Sequence, residues 1–356
     1  MTGAPPQGPV VITGGAGFIG CNLADSLLTD GHEVVVIDNL SRRGVERNLA
    51  WLRTRHGARL EALVADIRAP AAIEPAIARA GAVFHLAAQT AVTTSLADPV
   101  TDFEINARGT LNVLEAVRKS GRPIPVIFSS TNKVYGGLDD LRIFESEDRY
   151  VPADGAIRAR GINEDRKLDF CTPYGCSKGV ADQYVLDYAG SFDLPAAVLR
   201  MSCIYGPRQF GTEDQGWVAH FLIRALERQP ITLYGDGKQV RDVLHVRDAV
   251  AAYRAMLDAI DTVKGRAFNL GGGPGNAVSL HMVLSEIEAV LGYAIPVSRA
   301  AWREGDQLYF VADTGRLQTE LGWRPAMGWR DGLRDLADWL RAERVGHEEP
   351  LRRAHR

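Results

Sequence analysis

Short apolar runs alternating with helical stretches constrain this chain more than any other feature of its sequence. Residues 10–13, 34–37, 60–65, 82–87, 125–130 and 196–200 read as strands, and helical segments lie between them at 18–28, around 71–79, at 99–119 and at 173–189. The strand runs are apolar at nearly every position rather than at alternate ones. Strands covered on both faces need that pattern, and parallel strands joined by helical crossovers are covered on both faces. The expected fold is therefore α/β, a doubly wound parallel sheet.

Beyond residue 203 the rhythm changes. Loops rich in Gly, Gln and charge at 206–216, 235–241 and 271–276 separate short elements. This pattern predicts a smaller lobe over the carboxyl ends of the parallel strands. Residues 1–203 then form a dinucleotide-type domain, 204–345 mainly the lobe with some return to the main domain, and 346–356 a disordered tail. The stretch 136–171 is long, polar and weakly periodic, which fits either an ordered active-site insertion or a mobile loop.

With 356 residues and 46% hydrophobic content the chain can bury a sizeable core. A formal charge of -3 gives no general attraction to nucleic acid or to an acidic membrane surface. No apolar run is long enough to span a bilayer, and the first nine residues lack the basic start and apolar centre of a signal peptide. Cys21, Cys171, Cys176 and Cys203 show neither zinc-like nor disulfide-framework spacing, so no metal is expected. A reducing cytoplasm fits.

The turn after the first strand reads Gly14-Gly15-Ala16-Gly17-Phe18-Ile19-Gly20. A pyrophosphate approaches a backbone only where side chains are absent, and a helix N-terminus there offers free N–H groups and positive potential. Asp38 ends the second strand, where a carboxylate can accept from the adenosine ribose hydroxyls. That placement favours NAD over NADP, since Asp repels a 2′-phosphate, although Arg42 and Arg43 lie just beyond.

Tyr174-Gly175-Cys176-Ser177-Lys178 opens a helical segment. A spacing of four puts the phenol and the amine on one helix face. An ammonium beside a phenol favours phenolate, so Lys178 is expected to lower the pKa of Tyr174. Phe128-Ser129-Ser130-Thr131 ends a strand and supplies a hydroxyl able to share the proton. Tyr-x-x-x-Lys alone is common on ordinary helices. Its conjunction with the glycine turn, Asp38 and a strand-end hydroxyl carries the argument.

With His85-Leu86-Ala87-Ala88, SSTNKVYG at 129–136 and VRDVLHV at 240–246 added, these motifs resemble the extended short-chain dehydrogenase/reductases, the NAD-dependent epimerases and dehydratases. The resemblance covers about residues 9–340 and implies a Rossmann-type sheet, a C-terminal substrate lobe and a nucleotide-diphosphate sugar as substrate. Within that family, the segments at 38–44, 101–118, 168–189, 205–218 and 237–245 look most like 2-epimerases of CDP-linked sugars.

The resemblance implies a catalytic role for Thr131, Tyr174 and Lys178. It puts Gly14, Gly17, Phe18 and Ile19 at the pyrophosphate and Asp38, Asn39, Ser41 and Arg42 around the adenosine ribose. Asp66 and Ile67 would flank adenine, and Leu86, Ala87, Ala88 and Gln89 would line the channel toward nicotinamide. Asn106 and Ser129, with Tyr174 and Lys178, also match cofactor-side positions. Thr131, Asn132, Arg241, Arg303 and Asp306 would hold the substrate, the arginines on its diphosphate.

One departure stands out. Family dehydratases carry an Asp-Glu pair directly after the catalytic Thr, and this chain has Asn132-Lys133. Hydride transfer is therefore expected without elimination of water. Lys133 would raise the local positive potential, touch substrate or serve a surface role. The helices near 99–119 and 173–189 match those that pair relatives into homodimers or dimers of dimers. A 4-epimerase of UDP-glucose or UDP-glucuronate would use the same residues. A non-catalytic NAD-binding regulator is the remote alternative, and the presence of both Tyr174 and Lys178 argues against it.

Overall fold

The computed structural model describes the backbone of residues 8–354 and the side chains of 8–344. Seven parallel strands form the main sheet in the order Ala267–Leu270, Ala196–Met201, Val126–Thr131, Ala82–His85, Val10–Thr13, Val34–Asp38 and Leu60–Val64. Val10 lies opposite Val34 on one side and Ala82 on the other. The strand order reverses at Val10–Thr13, and ligands of open α/β sheets bind outside the carboxyl ends at such a switch.

The apolar runs are explained by what covers each face. Val10 and Ile12 pack with Leu23, Leu27 and Tyr253 in one core. Val11, Val35 and Ile37 pack with Val113, Val117 and Val185 in another. Successive strand residues point to opposite faces, so both sets must be apolar. Val126–Thr131 is buried along its whole length, which carries Ser129, Ser130 and Thr131 to the rim of a dry sheet.

The expected strands are present and differ from the sequence reading by one or two residues at their ends. Helices Val45–His56 and Val92–Ala97 were not anticipated. The helix expected at 99–119 is divided into Pro99–Phe103, a π-helical turn at Glu104–Arg108, and Gly109–Lys119. Helix Val246–Asp258 supplies Tyr253, and the strand Ala267–Leu270 supplies Phe268 and Leu270, to the same core as Ile12.

In the lobe, Cys203–Tyr205, Val240–His245, Ala277–Ser279 and Tyr309–Phe310 form one sheet. Phe221, Leu222, Leu233, Ile287, Leu333 and Leu336 fill its core. The insertion at 136–171 is ordered: it holds the hairpin Ile143–Glu145 with Tyr150–Pro152 and the helix Gly155–Arg160. Its Leu141, Ile143, Tyr150 and Ile157 pack on Val240, Tyr309 and Val311, fastening it to the lobe.

The last helix, Trp329–Ala354, covers most of the stretch read as a disordered tail; side chains after 344 and residues 355–356 lie outside the described residues. Among the described residues no helix is long and apolar enough to cross a membrane, and no group of three metal-binding side chains converges.

Candidate active site

The carboxyl ends of the sheet open into a cavity of about 440 Å³. Its floor is the first turn. Gly14 has φ 68°, and a Cβ there would stand 2.7 Å from the Ala87 nitrogen. A Cβ on Gly20 would stand 2.3 Å from the Gly14 carbonyl oxygen. Only glycine lets these backbones meet. Gly17 begins the helix Phe18–Thr29 without a side-chain cap, so the first N–H groups face the cavity without an internal partner from a cap.

One wall carries the carboxylates. Asp38 accepts from the backbone N–H of Ala16 at 3.1 Å and of Leu40 at 2.9 Å. Burial raises its pKa, and those backbone donors oppose the rise. Leu40 holds φ 56°, a costly conformation for a branched residue, at the bend that presents Asn39 and Ser41. Asn39 donates to Asp66 at 3.0 Å, and Arg68 keeps Asp66 well below the usual carboxylate range. Arg42 donates to Thr90 at 2.8 Å across the opening.

Gly14, Gly17, Phe18, Ile19, Asp38, Asn39, Ser41, Arg42, Asp66, Ile67, Leu86, Ala87, Ala88, Gln89, Ser129, Tyr174 and Lys178 all line this cavity. Asn106 does not. It is buried behind the wall, where its oxygen accepts from the Gln89 N–H at 2.9 Å and its amide donates to Asp102 and Ser177. The π-helical turn at 104–108 points it inward, so it braces the Gln89 loop against the Tyr174 helix instead of facing the cavity.

The roof was missed by the sequence reading. Arg208, Gln209, Phe210, Gly211, Thr212, Asp214 and Gln215 cross the cavity as a strap from the lobe. Asn22 and Asn48 hold it, donating to the carbonyls of Pro207 at 3.1 Å and Arg208 at 3.2 Å. Arg208 has φ 73°, and Phe210 packs edge-on to Trp339. The strap carries no periodic signal, and its role depends on those distant amides.

Tyr174 and Lys178 enter from helix Thr172–Ser191, which starts at Thr172 with φ 64° followed by Pro173. The Thr131 hydroxyl stands beside the Tyr174 phenol. Burial pushes Tyr174 up to about 12, against the pull of Thr131. The Lys178 amine donates to the Ser129 carbonyl at 2.7 Å, sits 4.2 Å from the Phe128 ring centre, and is pulled down to about 7 by burial. The expected depression of the phenol is therefore absent. Both groups are desolvated, and the ammonium is engaged with Ser129 and Phe128 rather than with the phenol.

Beyond Tyr174 a second polar cluster joins strand end and lobe. Asn132 donates to Gln307 at 3.0 Å. Arg241 donates to Asp306 at 2.7 Å. Arg303 lies 3.8 Å from the Tyr234 ring centre and donates to the Glu213 carbonyl at 3.0 Å. Its nearest carboxylates belong to Glu213 at 3.7 Å and Asp214 at 3.8 Å, and Asp214 also lines the first cavity. The two regions thus meet at the strap.

Residues 10–271 match the model of the NAD dependent epimerase/dehydratase family. The chain is 43% identical to CDP-paratose 2-epimerase of Salmonella typhi, over 93% of this chain and 98% of the relative. It is similar to the structure of Thermus thermophilus UDP-glucose 4-epimerase in complex with NAD, with TM-score 0.78, 32% identity and coverage of 94% and 99% of the two chains. A dTDP-glucose 4,6-dehydratase double mutant from Streptomyces venezuelae gives TM-score 0.82 at 29% identity, covering 96% and 99%. The matched span contains the glycine turn, Asp38, Thr131 and the Tyr174–Lys178 helix, and the chain belongs to the NAD-dependent epimerase/dehydratase family.

Proposed function

We propose that the chain is an NAD-dependent nucleotide-sugar epimerase that inverts C2 of a CDP-linked sugar, as in the conversion of CDP-paratose to CDP-tyvelose. The carrying observation is the juxtaposition of Thr131 and Tyr174 at the end of the glycine-floored cavity, followed by Asn132-Lys133 instead of carboxylates. The likeness to CDP-paratose 2-epimerase supports the choice of sugar.

In this reading Gly14, Gly17, Phe18 and Ile19 hold the pyrophosphate, and Asp38, Asn39, Ser41 and Arg42 surround the adenosine ribose. Asp66 and Ile67 flank adenine, and Leu86, Ala87, Ala88, Gln89 and Ser129 form the wall toward nicotinamide. Asn106 acts through Gln89. The side-chain-free turn and uncapped helix start fit the diphosphate. NAD, when bound, supplies the hydride acceptor and donor and, oxidised, a positive charge beside Tyr174.

Tyr174 takes the proton of the sugar hydroxyl, with Thr131 orienting both oxygens. A phenol near 12 needs positive charge drawn to its oxygen before it serves as a base at neutral pH. Arg42 already pulls the phenol down, and Lys178, one turn along the helix, adds to that pull when its amine leaves the Ser129 carbonyl. The ketone formed is flat at the oxidised carbon. Arg241, Arg303, Asp306 and Asn132 keep the nucleotide end anchored while the sugar turns, and Tyr174 returns the proton after hydride reaches the other face. No carboxylate follows Thr131, so water is not eliminated.

The test is incubation with CDP-paratose in deuterated water, beside UDP-glucose and UDP-glucuronate. Inversion at C2 without solvent deuterium at that carbon is expected. Deuterium at C2 would replace the hydride route by proton abstraction from carbon. Preferred inversion of a UDP-sugar at C4 would move the reading to the 4-epimerases, whose fold this chain shares.

The 1–203 region serves mainly the cofactor and the 204–345 region mainly the sugar, with some return of the latter to the main domain. Exposed Leu96, Val100, Phe103, Tyr184 and Phe192 on the helices flanking Asp102 support a homodimer or a dimer of dimers, checked by light scattering. Four free thiols support a cytoplasmic location.

A further inference from the structure

We propose that Lys133 is a substrate-phosphate ligand, seating the sugar-proximal phosphate close to Tyr174 at the spacing a C2 reaction requires. The inference rests on the C2 reading above. C2 is bonded directly to the anomeric carbon that bears the phosphate, whereas C4 lies two ring bonds further away. Presenting C2 to Tyr174 therefore draws the phosphate toward the strand end, where a 4-epimerase would hold the far side of the ring. A C2 enzyme needs a cation at that nearer position.

Lys133 stands there. Its backbone N–H donates to the Thr131 hydroxyl at 3.2 Å, which ties it to the group that stands beside Tyr174. Its amine reaches the lobe and donates to the Gly305 carbonyl at 2.9 Å. An ammonium has three donors, and among the described residues this carbonyl is the only acceptor recorded for it. The charged and titratable groups around it are Arg241, Asp306, Cys203 and Cys171. Asp306 is already taken by Arg241 at 2.7 Å, and burial keeps the Cys203 thiol protonated.

Two cations thus share one carboxylate in a partly desolvated corner. Burying unpaired charge is costly, and burial together with Arg241 pulls Lys133 down to about 8. An anion placed between Lys133 and Arg241 removes that cost and completes the lysine's hydrogen bonds. Lys133 is partly buried and keeps some surface exposed. Gly305, with φ 70° and a would-be Cβ 2.6 Å from the Thr172 methyl, fixes the loop that Lys133 grips.

The experiment titrates CDP and CMP into the NAD-loaded full chain, unaltered and carrying Lys133→Gln or Lys133→Arg. Gln retains a donor for the Gly305 carbonyl but no charge. Lys133→Gln should weaken CDP roughly 10- to 100-fold, the worth of a charge-assisted hydrogen bond, with little change for CMP. Lys133→Arg should stay within a few-fold of the unaltered enzyme. In the unaltered enzyme CDP affinity should fall as pH rises from 7.5 to 9, the ammonium deprotonating while CDP only gains charge. CDP binding in Lys133→Gln equal to the unaltered enzyme would reduce the lysine to a tie on Gly305 and overturn the proposal. Should that variant lose its NAD, the pH arm decides, and a flat CDP affinity from 7.5 to 9 overturns it. Failure of the unaltered enzyme on CDP-paratose would sink the C2 reading while leaving the CDP titration to judge the phosphate site.

Discussion

The dinucleotide end and the sugar end of this cleft are built from different materials. The first is made by consecutive strand ends and the turns that follow them: Gly14 to Ile19, Asp38 to Arg42, Asp66 and Ile67, Leu86 to Gln89. Its lining sets the carboxylates of Asp38, Asp66 and Asp214 among the cations Arg42, Arg43, Lys178 and Arg208. The second is gathered from four distant stretches, around residues 131–133, 213–214, 234–241 and 303–307, where Arg241 pairs with Asp306, Arg303 stands by Glu213 and Asp214, and the Lys133 amine meets the Gly305 carbonyl. Backbone geometry defines one end and tertiary assembly the other. The Asp38 carboxylate suits ribose hydroxyls, and Lys133 with Arg241 suits a diphosphate.

The largest expected effect tests the point where the two ends meet. Tyr174→Phe should lower turnover by roughly 10²- to 10⁴-fold, the usual worth of a positioned proton-transfer group. Its NAD content, read from the absorbance of the released cofactor, should match the unaltered enzyme. Near-normal turnover would remove the phenol from the centre and with it the division drawn here.

That division also marks what was legible in the sequence. The strands, the glycine turn and Asp38 could be read because each is a local demand: two-sided burial, a backbone contact no Cβ allows, a carboxylate at a strand end. The strap at 206–216 could not. Its wall residues follow from Asn22 and Asn48 gripping Pro207 and Arg208, contacts between residues 185 and 160 positions apart. Helix Val92–Ala97 spans six residues, too few to display a period. Asn106 was read by likeness as facing the cofactor, and only the π-helical turn reveals that it stands behind Gln89. The sign of the Tyr174 shift was misread because spacing says that an amine lies one turn away but not where it points. It points to Ser129.

A second prediction separates the ends. Asp38→Ala removes the acceptor held by Ala16 and Leu40 and should weaken NAD binding by roughly 10- to 100-fold, as for a hydrogen-bonded charged group. CDP affinity at saturating NAD should be unchanged. Equal loss at both ends in a calorimetric titration would show that the two ends are one coupled site.

The finest test compares the two lysines through pH. Burial pulls Lys178 to about 7, whereas an unfolded lysine titrates near 10.4. Below about pH 7 both states hold the proton and the native state carries the whole cost of enclosing the charge. Between about 7 and 10 the unfolded chain keeps the proton and the native chain has released it, so stability rises with pH, by at most ~1.4 kcal/mol per unit. Above about 10 the direction reverses for Tyr174, which stays protonated to about 12 when native but ionises when unfolded. Lys133, pulled only to about 8, contributes over a narrower window. Urea unfolding at pH 7 and 9 should therefore show a rise that Lys178→Met flattens strongly and Lys133→Gln only slightly. Equal slopes in all three proteins would mean that neither amine is desolvated. A larger loss in Lys133→Gln would place the dry charge at the sugar end and invert the comparison.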